Sequence, residues 1–137
     1  MPTSYSQERR ATGRLEHVNI SVTDPERLSA LLQEILGWQI RWRGPSLKYG
    51  RSIHLASGPT PGDDYIAIYS GEHVHGSFAK GQPLNHIAFT VGDLDAAERT
   101  VVKAGLTPTD REEYEPGARF YFFDWDGIEY ELVSYAG

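Results

Sequence analysis

His17, His86 and Glu131 are the side chains of this 137-residue sequence whose types and placement could do chemistry together. Two imidazoles and one carboxylate match a 2-His-1-carboxylate metal site. Imidazole nitrogen suits first-row divalent ions, and the carboxylate offsets part of their charge. Three protein ligands leave positions open for substrate, water or dioxygen. The three residues lie far apart in sequence, and what relates the histidines is a repeat. Leu15-Glu16-His17-Val18-Asn19-Ile20-Ser21-Val22 is answered 69 residues later by Leu84-Asn85-His86-Ile87-Ala88-Phe89-Thr90-Val91. The same residues also fit a second reading, in which the histidines are hydrogen-bonded pocket residues and Glu131 is a solvated strand residue.

The elements that must position these groups follow from periodicity. In both copies apolar residues take every second place, the signature of a strand with one buried face. Asp24 with Pro25, and Asp93, read as helix N-caps. The helices bury Leu28, Leu31, Leu32, Ile35 and Leu36 in the first half, and Leu94, Ala97, Val101 and Ala104 in the second. Gly37 and Gly105 stop them. Further strands are expected at Trp38–Trp42, Ser52–Ala56, Tyr65–Tyr69, around Leu106–Arg111, at Arg119–Phe123 and at Ile128–Val133, with turns at Gly44-Pro45 and Asp124–Gly127. Two βαβββ modules, residues 15–71 and 84–135, account for this order, joined by a linker over 72–83 and preceded by a flexible arm over 1–14. Superimposing the halves matches Gly50 with Gly117, His54 with Tyr121, and Ala67 with Glu131. Alternation then sends Ile53, Leu55, Ile66, Ile68, Phe120, Phe122, Tyr130 and Leu132 toward the helices. His17, His54, Tyr65, Ala67, Tyr69, His86, Tyr121, Phe123 and Glu131 share the other face, a poor hydrophobic core and a reasonable ligand cavity.

Composition narrows the classes. A formal net charge of -6 argues against a broad nucleic-acid surface. The absence of cysteine removes disulfides, zinc-thiolate sites and Cys nucleophiles. No apolar run approaches a membrane span, and Met1–Arg14 has no apolar signal region, so the expectation is a cytoplasmic protein with no membrane partner.

The sequence resembles the vicinal oxygen chelate superfamily, which includes glyoxalase I, fosfomycin-resistance thiol transferases, bleomycin-resistance proteins, methylmalonyl-CoA epimerase and extradiol ring-cleaving dioxygenases. The marks are Leu15-Glu16-His17, Leu84-Asn85-His86, and Tyr121-Phe122-Phe123-Asp124-Trp125-Asp126-Gly127-Ile128-Glu129-Tyr130-Glu131-Leu132. Trp125 stands where the family usually has Pro, and Glu131 keeps the usual offset of four from the Gly.

The resemblance implies an α+β fold, paired βαβββ modules forming a curved eight-stranded mixed sheet. It also implies a divalent metal ion (Fe, Mn, Ni, Co or Zn) at His17, His86 and Glu131, a small oxygenated substrate, and a homodimer whose site can draw ligands from two chains. The reaction would be dioxygenase-like or lyase-like. Tyr121 would hydrogen-bond a bound oxygen, and His54 could serve as a base near neutral pH. Departures matter as well. Ala67 occupies the place where glyoxalase I and the epimerase, which this chain resembles, use a fourth ligand, Glu or Gln, and a methyl group can neither bind metal nor act as a base. The dioxygenases resemble this chain in their Tyr ten residues before the Glu, but their preceding His has no counterpart. A metal-free binding protein of the bleomycin-resistance type is the alternative. His73 and His75 read as a solvated loop, Asp124 and Asp126 as turn formers, and Trp38 and Trp42 as partners on one strand face.

Overall fold

The computed structural model describes residues 13–46, 50–76, 78, 82–114 and 117–135. Most of the expected arm (1–12) and part of the linker (77 and 79–81) lie outside them. The described residues form β1 (His17–Ser21), α1 (Pro25–Leu36), β2 (Gln39–Pro45), β3 (Arg51–Ala56), β4 (Tyr65–Ser70), β5 (Ile87–Thr90), α2 (Leu94–Lys103), β6 (Thr109–Tyr114), β7 (Gly117–Phe123) and β8 (Glu129–Ser134). The βαβββ order thus occurs twice. The eight strands make two mixed four-stranded sheets, ordered β1-β4-β3-β2 and β5-β8-β7-β6. In each, the first strand runs parallel to the fourth and the other pairings are antiparallel.

Local chemistry sets the helix ends. Asp24 Oδ1 accepts the Arg27 N–H at 3.1 Å, and Asp93 Oδ1 accepts the Ala96 N–H at 3.0 Å, each satisfying an orphan donor of the first turn. Gly37 closes α1 in the left-handed region (φ 73°), its N–H donating to the Gln33 carbonyl at 2.8 Å. The apolar faces of both helices and both sheets meet in one core. All eight residues assigned to the helix-facing side by alternation are at most 3% exposed.

The register reproduces the internal repeat. Ala67 pairs with Asn19 and His54, and Glu131 pairs with Ala88 and Tyr121. Gly50 and Gly117 open β3 and β7 in equivalent ways. A Cβ on Gly50 would stand 2.6 Å from the Ser70 carbonyl oxygen, and one on Gly117 would stand 2.5 Å from that of Ser134. No other residue fits so close to a backbone oxygen without a shift.

Three expectations change. Gly44-Pro45 is not a turn but the end of β2. That strand lies at the sheet edge, where a proline without an N–H is tolerated. The strand expected near Leu106–Arg111 lies instead at Thr109–Tyr114, where pairing with β7 decides its place. Trp38 and Trp42 do not share a face. A register shift between Ile40 and Trp42 inserts one residue, so Trp38 packs on Phe89 in the core while Trp42 packs on His54 on the opposite side. The Asp124–Gly127 turn is as expected, with more work for its acids. Asp124 Oδ1 accepts the Asp126 and Ile128 N–H groups, and its Oδ2 accepts the Tyr130 hydroxyl at 2.7 Å. Burial raises the Asp124 carboxyl above its usual range. Asp126 accepts the Thr23 N–H at 3.2 Å, tying this turn to the entry of α1.

Candidate metal-binding site

The second sheet brings two of the three candidate ligands together. His86 Nε2 lies 3.0 Å from Glu131 Oε1. The arrangement follows from strand pairing. β5 runs beside β8, so the residue just before Ile87 reaches the flank of the β8 carboxylates. The side chain of Glu131 is 8% exposed. Its other oxygen, Oε2, accepts from Arg119 Nη1 at 2.9 Å. Tyr121, across from Glu131 on β7, meets the His86 ring edge to face at 5.8 Å. A 490 Å³ cleft over this sheet is lined by Asn85, His86, Asp110, Tyr121 and Glu129, among others.

His17 stands on the first sheet. Its ring stacks on Tyr65 at 4.6 Å, Tyr65 stacks on His54 at 4.7 Å, and His54 meets Trp42 at 4.8 Å, a ladder of rings across four strands. The Arg41 guanidinium lies 4.8 Å over the Tyr65 ring. Burial, then the Arg41 charge, then His17, hold His54 below its ordinary 6.5. His54 is therefore a neutral imidazole at neutral pH. Among the described residues, no group of three His, Asp or Glu side chains converges as a metal site would need. One chain thus unites His86, Glu131 and Tyr121, and separately His17 and His54. A 470 Å³ crevice runs between the two sheets, lined by His17 and Tyr65 on one side and Ala88 and Thr90 on the other.

Both candidate histidines are oriented in the same way. The residue immediately before each holds Nδ1: Glu16 Oε1 at 2.7 Å for His17, and Asn85 Oδ1 at 2.7 Å for His86. An ionised carboxylate can only accept, so His17 Nδ1 donates to Glu16, and in the neutral imidazole Nε2 is then the atom left to ligate. That is the usual support of a metal-binding imidazole. His86 Nε2 and Glu131 Oε1 meet at hydrogen-bond distance, and the same two atoms are of the types that ligate a divalent ion.

The sequence reading missed Arg119, Asp110 and the orienting roles of Glu16 and Asn85. Arg119 was available to it, since alternation places it on the face of Tyr121. Glu129 is 5% exposed on the face of Glu131. Asp110 sits at a bulge between Thr109 and Glu112 with φ 53°, which no sequence signal announces.

This fold, with a His–Glu pair in the hollow of one module, defines a recognisable class. The chain belongs to the Glyoxalase/Bleomycin resistance protein/Dioxygenase superfamily, whose model matches residues 14–132. Among solved structures it is similar to a glyoxylase/bleomycin resistance protein/dioxygenase domain from Frankia sp. EAN1pec, at 26% identity over 90% of this chain and 98% of that one (TM-score 0.74). It shares its fold with trypanothione-dependent glyoxalase I of Leishmania major, at 22% identity over 90% and 87% (TM-score 0.73). The fold also matches the fosfomycin resistance protein FosX of Listeria monocytogenes, complexed with Mn(II) and sulfate, at 21% identity over 93% and 94% (TM-score 0.68). A search of the curated proteins found no match.

Proposed function

We propose that this chain is a metal-dependent enzyme of the vicinal oxygen chelate type, acting on a small oxygenated substrate. A divalent ion would be held by His86 and Glu131 of one protomer and His17 of a second copy in a homodimer. The observation that carries this reading is the His86 Nε2–Glu131 Oε1 pair at 3.0 Å, with the other ring nitrogen already anchored on Asn85. His17 is held in the same way by Glu16 but stands on the other sheet, which supports a site completed by a second chain. Relatives that share the fold include the FosX complex with Mn(II), in keeping with a divalent ion here.

When bound, the ion would act as a Lewis acid that gathers and polarises two substrate oxygens. The chain's own residues would do the rest. Glu16 and Asn85 hold the Nδ1 side of each ring and leave Nε2 to the ion. Tyr121, against His86, can hydrogen-bond a substrate oxygen held there. His54, neutral at neutral pH, is suited to accept a proton from a substrate lying on the first sheet. Ala67, in register with His54, leaves the position free of a fourth ligand, which favours a dioxygenase-like or lyase-like reaction over a glyoxalase-type proton shuttle.

Metal analysis of protein purified without chelator tests the reading. About one equivalent per chain is expected, lost in His17→Ala, His86→Ala and Glu131→Ala. No metal in the wild type, even after reconstitution, would instead favour a metal-free small-molecule binder. Ala67 and the separation of His17 from the pair within one chain keep that second reading in view. Anaerobic Fe(II) loading followed by oxygen uptake with catechols separates the dioxygenase from the lyase, and a flat trace across a broad panel counts against the former.

A further inference from the structure

The two oxygens of Glu131 are committed differently. Oε1 faces His86, while Oε2 accepts from Arg119 Nη1 at 2.9 Å. Both partners are largely out of solvent, with 8% of the Glu131 side chain and 18% of the Arg119 side chain exposed. A buried guanidinium on one carboxylate oxygen is a strong, directional contact.

The repeat supplies an internal control. Register equates His86 with His17, Asn85 with Glu16, Glu131 with Ala67, and Arg119 with Ser52. Arg119 is paired with Val133, two residues beyond Glu131, and Ser52 is paired with Tyr69, two beyond Ala67. The oriented histidine is present in both modules. The carboxylate and the arginine are present together in one module and absent together from the other. Core positions on the opposite face stay apolar in both, as with Ile53 and Phe120. An arginine needed to hold this type of sheet would have a counterpart at Ser52. One needed by the carboxylate would not.

We propose that Arg119 is a positioning residue that keeps Glu131 a one-oxygen ligand. By engaging Oε2, it reserves Oε1 for the ion beside His86 and keeps the second oxygen from taking a further coordination position. The freed position is then open to a substrate that chelates through two adjacent oxygens. The guanidinium also draws charge from the carboxylate, leaving the ion a stronger Lewis acid. This inference rests on the metal-dependent reading of the site.

The test uses the 137-residue chain loaded with Co(II), and acetohydroxamate as a two-oxygen probe. Arg119→Gln is expected to bind Co(II) as tightly as wild type or more so. It should also change the Co(II) absorption spectrum and weaken acetohydroxamate by about tenfold. Arg119→Lys, which keeps the charge and a donor, should restore both toward wild type. A merely structural arginine would lower thermal stability in both variants without moving spectrum or probe affinity. Co(II)-loaded Arg119→Gln with wild-type spectrum and probe affinity overturns the inference alone. A wild type that takes up no Co(II) overturns the metal reading and the inference with it. Should Arg119→Gln fail to fold, X-ray absorption of the wild type decides. A short metal-to-carboxylate-carbon path marks a two-oxygen Glu131 and sinks the proposal, and its absence supports it.

Discussion

A site shared between chains can be tested by mixing two dead variants. His86 and Glu131 meet in one chain at 3.0 Å, while His17 stacks on Tyr65 in the other sheet. Each complete site would therefore take His17 from one protomer and the pair from the other. His17→Ala and Glu131→Ala homodimers each have no intact site. When the two are unfolded, mixed in equal amounts and refolded, half of the dimers are mixed by chance. Each mixed dimer carries one intact and one doubly defective site, so about one quarter of all sites return. His17→Ala with His86→Ala should give the same quarter. His86→Ala with Glu131→Ala should return nothing, because both lesions fall in the half-site that one chain supplies. Mn(II) stoichiometry by titration calorimetry reads the outcome, with activity as a second readout once a substrate is known. If all three mixtures stay empty while wild type binds about one ion per chain, the site lies within a single chain and the shared arrangement is wrong.

Gly117→Ala would put a Cβ 2.5 Å from the Ser134 carbonyl oxygen and 2.8 Å from the Tyr135 ring. Denaturant unfolding should read a loss of about 1–3 kcal/mol. Gly92→Ala, with no atom within 4 Å of its Cβ, should stay within about 0.5 kcal/mol of wild type. His54 should titrate below 6.5 by NMR, and Arg41→Gln should raise its midpoint only part of the way, because burial is the larger cause. The folded pKa is depressed, so this contribution to stability is complete above pH 6.5 and is lost as pH falls through the folded value. Metal removal by EDTA should abolish activity and leave the far-UV circular dichroism of a folded chain, since the ligands already satisfy one another. A chelated protein that unfolds at room temperature would contradict this.

Much of the fold was legible because alternation and capping are local. The period-2 pattern of Ile53, Leu55, Ile66 and Ile68 named the core side of the first sheet, and Asp24-Pro25 and Asp93 named the helix starts. The extra residue in β2 was not legible. Nothing in Gln39–Trp42 marks a bulge, and its effect was to separate Trp38 from Trp42. Pro45 was misread because its tolerance depends on β2 being an edge strand, a property of sheet order. For the site, the repeat suggests equivalent faces for His17, His86 and Glu131. Which groups meet depends on how the two sheets are set relative to each other, and no periodicity encodes that. Arg119 was missed for a different reason. A charge on a strand reads as solvent-facing until a buried acid is known to sit beside it.

The division between the modules has a physical logic. On the second sheet Arg119 neutralises Glu131, and Glu131 meets His86, so the acid is not a lone buried charge. On the first, Glu16 holds His17, and the ring ladder surrounds it with neutral aromatic surface plus the Arg41 cation. Each half is therefore electrostatically complete before the other arrives. Such a chain should fold without an ion, unlike small domains whose folding energy comes from the metal. Binding free energy at the assembled site is then not consumed in ordering the ligands. It remains available for holding an open-sided ion against solvent. The cost falls on specificity of assembly. A half-site carrying one histidine or one histidine–carboxylate pair holds a divalent ion weakly, so tight binding should appear only where two sheets meet in the correct register.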